Sequence, residues 1–325
     1  MLKALVTTVP FASFDPTPMN KLRDAGIEVV LNPLERRLQE YELADMIGDF
    51  DVVIAGTEPI TEHVLSCAPK LKLISRVGIG LDGVDLLAAR DRGIAVTYTP
   101  DAPSAAVADL TIGLAHSLIR KTHIANAELH RGQWIRHFGR RMEDLTVGVI
   151  GVGRIGSKVV KKFLASGVKQ VLAYDIQSDA MFDEKRFSWS PIEKVLKTSD
   201  VITFHVPLTL QTKNMVTKSK LLKMKQDAVV INTSRGGIIN ERDLCEVLLE
   251  GHLSGAAIDV FEREPYDGPL ANVESCLMTA HMGSMTFDCR ARMELEASEE
   301  VVRFSVGKGI NNIVPSSEFE IRELG

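Results

Sequence analysis

The sequence predicts an α/β protein of two doubly wound, parallel-sheet domains, one inserted into the other. Three observations predict it. Short apolar, β-rich runs alternate with helical patterns from the N-terminus onward, the pattern of βαβ units and a parallel sheet. A second series of the same kind starts afresh at Val147, around a glycine-rich turn. A long helical pattern, 286–306, then follows the last strand of that series, where it can rejoin the first domain. The expected division is 1–100 with 285–325 for one domain and 101–284 for the other.

In the first series, strands are predicted at 2–7, 27–31, 52–55, 73–76 and 95–98. Helical segments lie between them at 17–25, which Gly26 ends, and at 39–47 and 60–66. A helix at 104–120 is rich in Ala, Leu and Ile on its faces, so it is expected to be buried between domains or subunits. The second series predicts six strands, at 147–150, 170–174, 201–204, 228–232, 255–259 and 276–279. Six strands with their helices make one complete dinucleotide-binding unit.

The stretch 146–175 reads TVGVIGVGRIGSKVVKKFLASGVKQVLAYD. An apolar strand runs into Gly151, Gly153 and Gly156, an amphipathic helix follows, and a second strand stops at Asp175. The first glycine allows the tight turn, and the second lets backbone N–H groups approach a pyrophosphate. The third allows close packing of helix on sheet, while the helix N-terminus supplies partial positive charge. Asp175 can accept both ribose hydroxyls and would repel a 2′-phosphate, and Ile176 rather than an arginine follows it. NAD is therefore expected over NADP.

At 325 residues, with 45% hydrophobic and 25% charged residues, the chain suits two soluble domains. A net charge of −5 argues against nucleic-acid and anionic-membrane partners, though not against a small anionic substrate. Cys67, Cys245, Cys276 and Cys289 are scattered, with no CxxC. They read as four reduced, buried thiols of a cytoplasmic protein, and no metal site is expected. The N-terminal apolar stretch is too short and interrupted for a signal peptide, and no run approaches a transmembrane length.

Ligands of open parallel sheets bind beyond the carboxyl ends of the strands, in this chain expectedly in the cleft between its domains. Arg235, Glu264 and His281 fall just after predicted strands. Histidine suits proton transfer to a developing alkoxide. A carboxylate on its other ring nitrogen would fix the tautomer, and an arginine offers a fork for a substrate carboxylate.

GVGRIG (151–156), HVPLTLQT (205–212), INTSRGGIIN (231–240), AIDVFEREP (257–265), HMGS (281–284) and SRVGIGLDGVD (75–85) are all present. Together they resemble the D-isomer-specific 2-hydroxyacid dehydrogenase family over nearly the whole chain, and most of all its 3-phosphoglycerate dehydrogenase branch. The resemblance implies a Rossmann NAD-binding domain inserted into a flavodoxin-like substrate domain, and Arg235, Glu264 and His281 as catalytic trio. It implies that Arg76, Val77, Gly78 and Ile79, with Arg235 and His281, bind substrate, the backbone around Gly78 and Ile79 holding the carboxylate. Arg154 and Ile155 would present backbone to the pyrophosphate. Val206, Pro207, Thr212, Thr233 and Ser234 would line the cofactor groove, with Thr111 a weaker candidate. Asp259 would face the nicotinamide amide, and Gly283 and Ser284 would close over the ring. Arg235 and His281 would touch the cofactor as well.

Where phosphoglycerate-specific relatives often carry an arginine, this chain has Ala55 and Gly56, then Glu58. That acid would oppose a substrate phosphate if it faced the cleft. The basic stretch 131–141 contains Arg136, Arg140 and Arg141. It resembles a dimer-forming segment that reaches a neighbour's site, so a homodimer is expected, with these arginines possible phosphate ligands in trans. No C-terminal regulatory domain is expected. Glyoxylate, hydroxypyruvate or a sugar-derived keto acid fit the same motifs. So, with less support, do a formate- or phosphite-type dehydrogenase and an NAD-sensing binding protein.

Overall fold

In a computed structural model, residues 1–178, 182, 184–316 and 318–319 are described. Of the expected C-terminal segment, 320–325 lie outside the described residues. The chain divides into two compact units, Met1–Pro103 with Met285–Gly325, and Ser104–Ser284.

In the first unit, β1 (Lys3–Val6), α1 (Thr17–Asp24), β2 (Glu28–Leu31), α2 (Glu40–Met46) and β3 (Val52–Ala55) come in order. They are followed by α3 (Glu62–Ser66), β4 (Leu73–Arg76), α4 (Leu86–Asp91) and β5 (Ala95–Thr97). Every strand pair is parallel, in the order β2-β1-β3-β4-β5, which is the flavodoxin-like order. The central β3 and β4 are buried throughout; β3 is an unbroken apolar run, and β4 ends in the buried polar residues Ser75 and Arg76.

The second unit holds α5 (Pro103–Arg120), α6 (Thr122–His130), β6 (Thr146–Ile150), α7 (Arg154–Ala165), β7 (Gln170–Tyr174) and β8 (Phe187–Trp189). Then come α8 (Ile192–Thr198), β9 (Val201–Phe204), α9 (Lys218–Leu221), β10 (Val229–Asn232), α10 (Glu241–Leu249), β11 (Gly255–Ile258) and β12 (Cys276–Met278). Its seven strands run parallel in the order β12-β11-β10-β9-β6-β7-β8. The order reverses beside β6, the switch point where a dinucleotide binds in such sheets.

The chain then returns to the first unit as α11 (Phe287–Ser305). Ser75 of β4 donates to the Ala297 carbonyl at 2.8 Å. The segment beyond α11 covers the free edge of β5, through an antiparallel bridge of Ile313 to Thr97. An open edge would otherwise invite pairing with another chain.

Two expectations need correction. The second sheet has a seventh strand, β8, in which Phe187 packs edge-on against Trp189. Three residues on a sheet edge leave too short a pattern to read from sequence. In the single chain, helix α5 presents Ala105, Asp109, Gly113, His116 and Arg120 as an exposed stripe, and Asp109 there meets Lys162 at 2.5 Å. Of the cysteines, all free, Cys67 is only half-buried because it caps the end of α3.

Candidate active site

Three loops leave the carboxyl ends of the neighbouring strands β10, β11 and β12, and each carries one member of the predicted trio. Arg235 follows β10, Glu264 follows β11 and His281 follows β12. His281 Nδ1 lies 2.9 Å from Glu264 Oε2 and 3.1 Å from Oε1. A carboxylate on that nitrogen places the ring proton on Nδ1 and leaves Nε2 as the exchanging nitrogen. Glu264 is held in turn by the Phe261 N–H, which donates to Oε1 at 3.1 Å.

The Arg235 loop is shaped by residues that sequence reasoning passed over. Asn232, buried at the end of β10, accepts from the Ser234 N–H (3.1 Å) and hydroxyl (2.7 Å) and donates to the Arg235 carbonyl (2.8 Å). An Asn ending a strand and followed two residues on by Ser is the signal that could have found this turn. Gly236 then lets two backbones meet: a Cβ there would lie 2.0 Å from the carbonyl carbon of Phe261. That contact brings the Arg235 loop against the loop leading to Glu264. Arg235 Nη1 donates to the Ser234 carbonyl at 2.6 Å.

The His281 loop is organised by Asp259, which is 1% exposed. Its carboxylate accepts from Thr279 Oγ1 (2.5 Å), Met282 N (2.9 Å) and Gly283 N (3.0 Å). His281 itself sits at φ +49, a left-handed conformation uncommon outside glycine. Three accepted bonds commit Asp259 to this loop, a role additional to the nicotinamide contact expected for it. Ser284 follows, half-buried.

At the other strand ends the glycine turn has the form a dinucleotide requires. Gly151 adopts φ +88, and a Cβ on it would meet the His205 carbonyl oxygen at 2.6 Å. A Cβ on Gly156 would lie 1.9 Å from the Gly151 oxygen, so α7 can pack down only without a side chain there. Gly153, at the N-cap of α7, faces open space. Helix α7 buries Val159, Val160, Phe163 and Leu164 and presents its N-terminal N–H groups, including those of Arg154 and Ile155, to that space. Asp175 accepts the Val152 N–H at 2.6 Å and the Gln177 N–H at 3.1 Å, tying the acid to the turn. These features fit NAD.

Thr212 closes the loop after β9 by donating to the Pro207 carbonyl at 2.6 Å, beside half-buried Val206. Thr111 bonds Thr233 across 3.0 Å and the Val107 carbonyl at 2.8 Å, both hydroxyls buried. Beneath the turn lies His205. Its Nε2 is 2.9 Å from Thr203 Oγ1, and Nδ1 is shut off from solvent with no partner among the described residues. Burial pushes its pKa down to about 3.

In the first unit, Arg76 ends β4 and is buried beneath its own loop, donating to the Val77 carbonyl at 2.6 Å. The Val77 N–H donates to the Ala55 carbonyl at 2.8 Å, and the Gly78 N–H also has a partner within the first unit. It donates to Thr99 Oγ1 at 2.8 Å, while the Thr99 N–H returns to the Gly78 carbonyl at 3.0 Å. The two segments meet through β4 and β5 pairing, which local sequence does not reveal. In the basic stretch, Arg140 pairs with Asp200 at 2.7 Å, and Arg141 with Glu143 and Asp144. Arg136 is exposed.

A profile of the D-isomer specific 2-hydroxyacid dehydrogenase family, NAD binding domain, matches residues 112–283. The chain is 37% identical over 295 residues to the D-3-phosphoglycerate dehydrogenase of Methanocaldococcus jannaschii, a match that covers 89% of this chain and 56% of that protein. It therefore spans little more than half of that relative. It is 32% identical over 293 residues to a glyoxylate reductase of Korarchaeum cryptofilum, covering 87% and 88% respectively. Among solved structures, the TT0316 protein from Thermus thermophilus matches with a TM-score of 0.87 at 32% identity, over 97% of this chain and all of that one.

Proposed function

Because the chain belongs to the D-isomer specific 2-hydroxyacid dehydrogenase family, we propose that it interconverts a D-2-hydroxy acid and its 2-keto acid with NAD(H). The observation that carries this reading is the His281–Glu264 pair, 2.9 Å apart, on the same strand-end face as the glycine turn. NAD(H), when bound, supplies or accepts the hydride. Gly151, Gly153, Arg154, Ile155 and Gly156 would hold its pyrophosphate, and Asp175 its adenosine ribose. Val206, Pro207, Thr212, Thr233 and Ser234 would line the groove.

In the reductive direction His281 Nε2 donates a proton to the oxygen on which negative charge develops, and in the oxidative direction it takes that proton back. Glu264 stabilises the imidazolium form and fixes its ring. Arg235 orients the substrate carboxylate and polarises the carbonyl, so positioning and fixed charge supply most of the acceleration. Asp259 keeps His281 in place, with Gly283 and Ser284 next to it. In the first unit the loop of Val77, Gly78 and Ile79, braced by Arg76, is the proposed carboxylate contact, with the Ile79 N–H as donor because Ala55 and Thr99 hold those of Val77 and Gly78; Gly78 contributes through its conformation, φ +140.

We also infer a homodimer. Helix α6 buries none of its residues, and the segment after it exposes Trp134 at 82% and Phe138 at 98%, next to exposed Leu129 and Ile135. Apolar surface of this size needs a partner. A cavity of about 290 Å³ between α6 and residues 271–276 adjoins it. Light scattering after size-exclusion should return twice the 35.7 kDa of the chain, and a monomer would contradict this. Four free thiols support a cytoplasmic setting. No described helix is long and apolar enough to cross a membrane.

The test is NADH oxidation against a panel of 2-keto acids: glyoxylate, hydroxypyruvate, pyruvate and 3-phosphohydroxypyruvate. Turnover of at least one is expected, with NADH strongly preferred to NADPH. Oxidation with none of them would count against the reading.

A further inference from the structure

The carboxyl end of the first unit's sheet carries a buried acid with no part in the chemistry above. Glu58 is 2% exposed. Its Oε1 accepts the Gly56 N–H at 2.9 Å and the hydroxyl of Thr7. Thr7 leaves β1 and Gly56 leaves β3, neighbours in the sheet, so the acid bridges two adjacent strand ends. Its Oε2 lies 2.8 Å from where a Cβ of residue 56 would stand, so glycine at that position is what lets the carboxylate in. Beside it, Arg290 donates from Nη2 to Thr8 Oγ1 at 2.7 Å, and its Nε pairs with Glu294 Oε1 at 2.6 Å.

Strand ends of a parallel sheet are where an incoming ligand meets backbone N–H and hydroxyl donors. Here two such donors already hold a resident carboxylate, and the neighbouring guanidinium has its own. We infer that Glu58 is a specificity-determining residue. It occupies the place of a second substrate anion, so the protein takes monoanionic 2-keto acids with a neutral group on the keto carbon. It rejects those that add a phosphate or a second carboxylate. The inference rests on the dehydrogenase reading above and goes beyond it in naming the substrate class. Its physical basis is like-charge repulsion in a partly desolvated site, together with donors that a second anion would have to take from Glu58. Glutamine at 58 would keep the shape and remove the charge.

The experiment is calorimetric binding of D-glycerate and of 3-phosphoglycerate to the NADH-loaded protein, wild type and Glu58→Gln, with Glu58→Met as a second neutral variant of similar size. Each variant's unfolding midpoint is recorded alongside. Wild type should bind D-glycerate at least about tenfold more tightly than 3-phosphoglycerate, and either neutral variant should narrow that ratio by about tenfold or more. Tighter binding of 3-phosphoglycerate by wild type would overturn the inference. So would an unchanged ratio in a neutral variant that stays folded. Because the readout is binding, the two readings separate. If the predicted preference appears but no 2-keto acid is reduced, the assignment of Glu58 stands and the dehydrogenase reading fails.

Discussion

Asp259 and His281 are joined backbone to backbone, and the Asp259 side chain holds the residues on either side of His281. The His281 N–H donates to the Asp259 carbonyl at 2.8 Å. The Asp259 carboxylate receives the next two N–H groups of the same loop, those of Met282 and Gly283. A histidine at φ +49 is thus pinned by an acid 1% exposed.

Asp259→Asn should therefore damage the reaction without touching substrate. An amide keeps one acceptor oxygen, so its NH2 would face either the Gly283 N–H or the Met282 N–H and Thr279 hydroxyl, leaving a buried donor unpaired at a cost of about 1–3 kcal/mol. We expect kcat to fall by about 10²-fold while the Kd for NADH changes less than about fivefold. Steady-state kinetics and fluorescence titration check this, and an unchanged kcat would remove Asp259 from the positioning role.

Glu264 and His281 should behave as one unit. His281→Gln should lower kcat by about 10³-fold or more, and Glu264→Gln by about 10–10²-fold. The double variant should be little worse than His281→Gln alone. Additive losses would mean that the 2.9 Å pair has no joint function.

Gly153 and Gly156 separate folding from cofactor binding. Alanine at Gly156 meets the Gly151 oxygen at 1.9 Å, so it should cost about 1–3 kcal/mol of stability as well as NADH affinity. Alanine at Gly153 enters open space at the N-terminus of α7. It should leave the urea midpoint nearly unchanged and still weaken NADH about tenfold or more. Equal effects of the two variants on stability would contradict the geometry.

His205 predicts an acid sensitivity with a definite sign. Its folded pKa, about 3, lies below the ordinary 6.5. Between those values the unfolded chain binds a proton that the folded chain does not. Stability is fully present above pH 6.5 and falls as pH drops toward 3. At pH 5 this amounts to about 2 kcal/mol. Urea unfolding at pH 7.5 and pH 5 should show a larger acid loss for wild type than for His205→Asn. An equal loss in both would exclude His205 as its source.

Much of this was legible in sequence because it is local. The glycine turn, Asp175 and the residues just past each strand are set by nearest neighbours and by strand periodicity. What stayed hidden depends on pairing across distance. The Gly78 N–H is taken by Thr99, the Arg140 guanidinium by Asp200, and the Glu58 carboxylate by Thr7. Each partner is brought in by sheet pairing or by a neighbouring loop. The sequence shows an acid at 58, but only the folded chain shows that it is buried and bonded. The short edge strand β8 lies at the other limit, where three residues carry too little periodicity to register.

The most direct test of the central claim follows the hydride itself. NADH deuterated at the nicotinamide C4 is incubated with the protein and the 2-keto acid it turns over best, and the product is analysed by NMR and chiral chromatography. The account predicts deuterium at C2 of a D-2-hydroxy acid with wild type, and labelled product formed about 10³-fold more slowly or not at all with His281→Gln, although that variant still binds NADH. An L-product, deuterium at any other position, or labelled product formed at the wild-type rate by His281→Gln would contradict it.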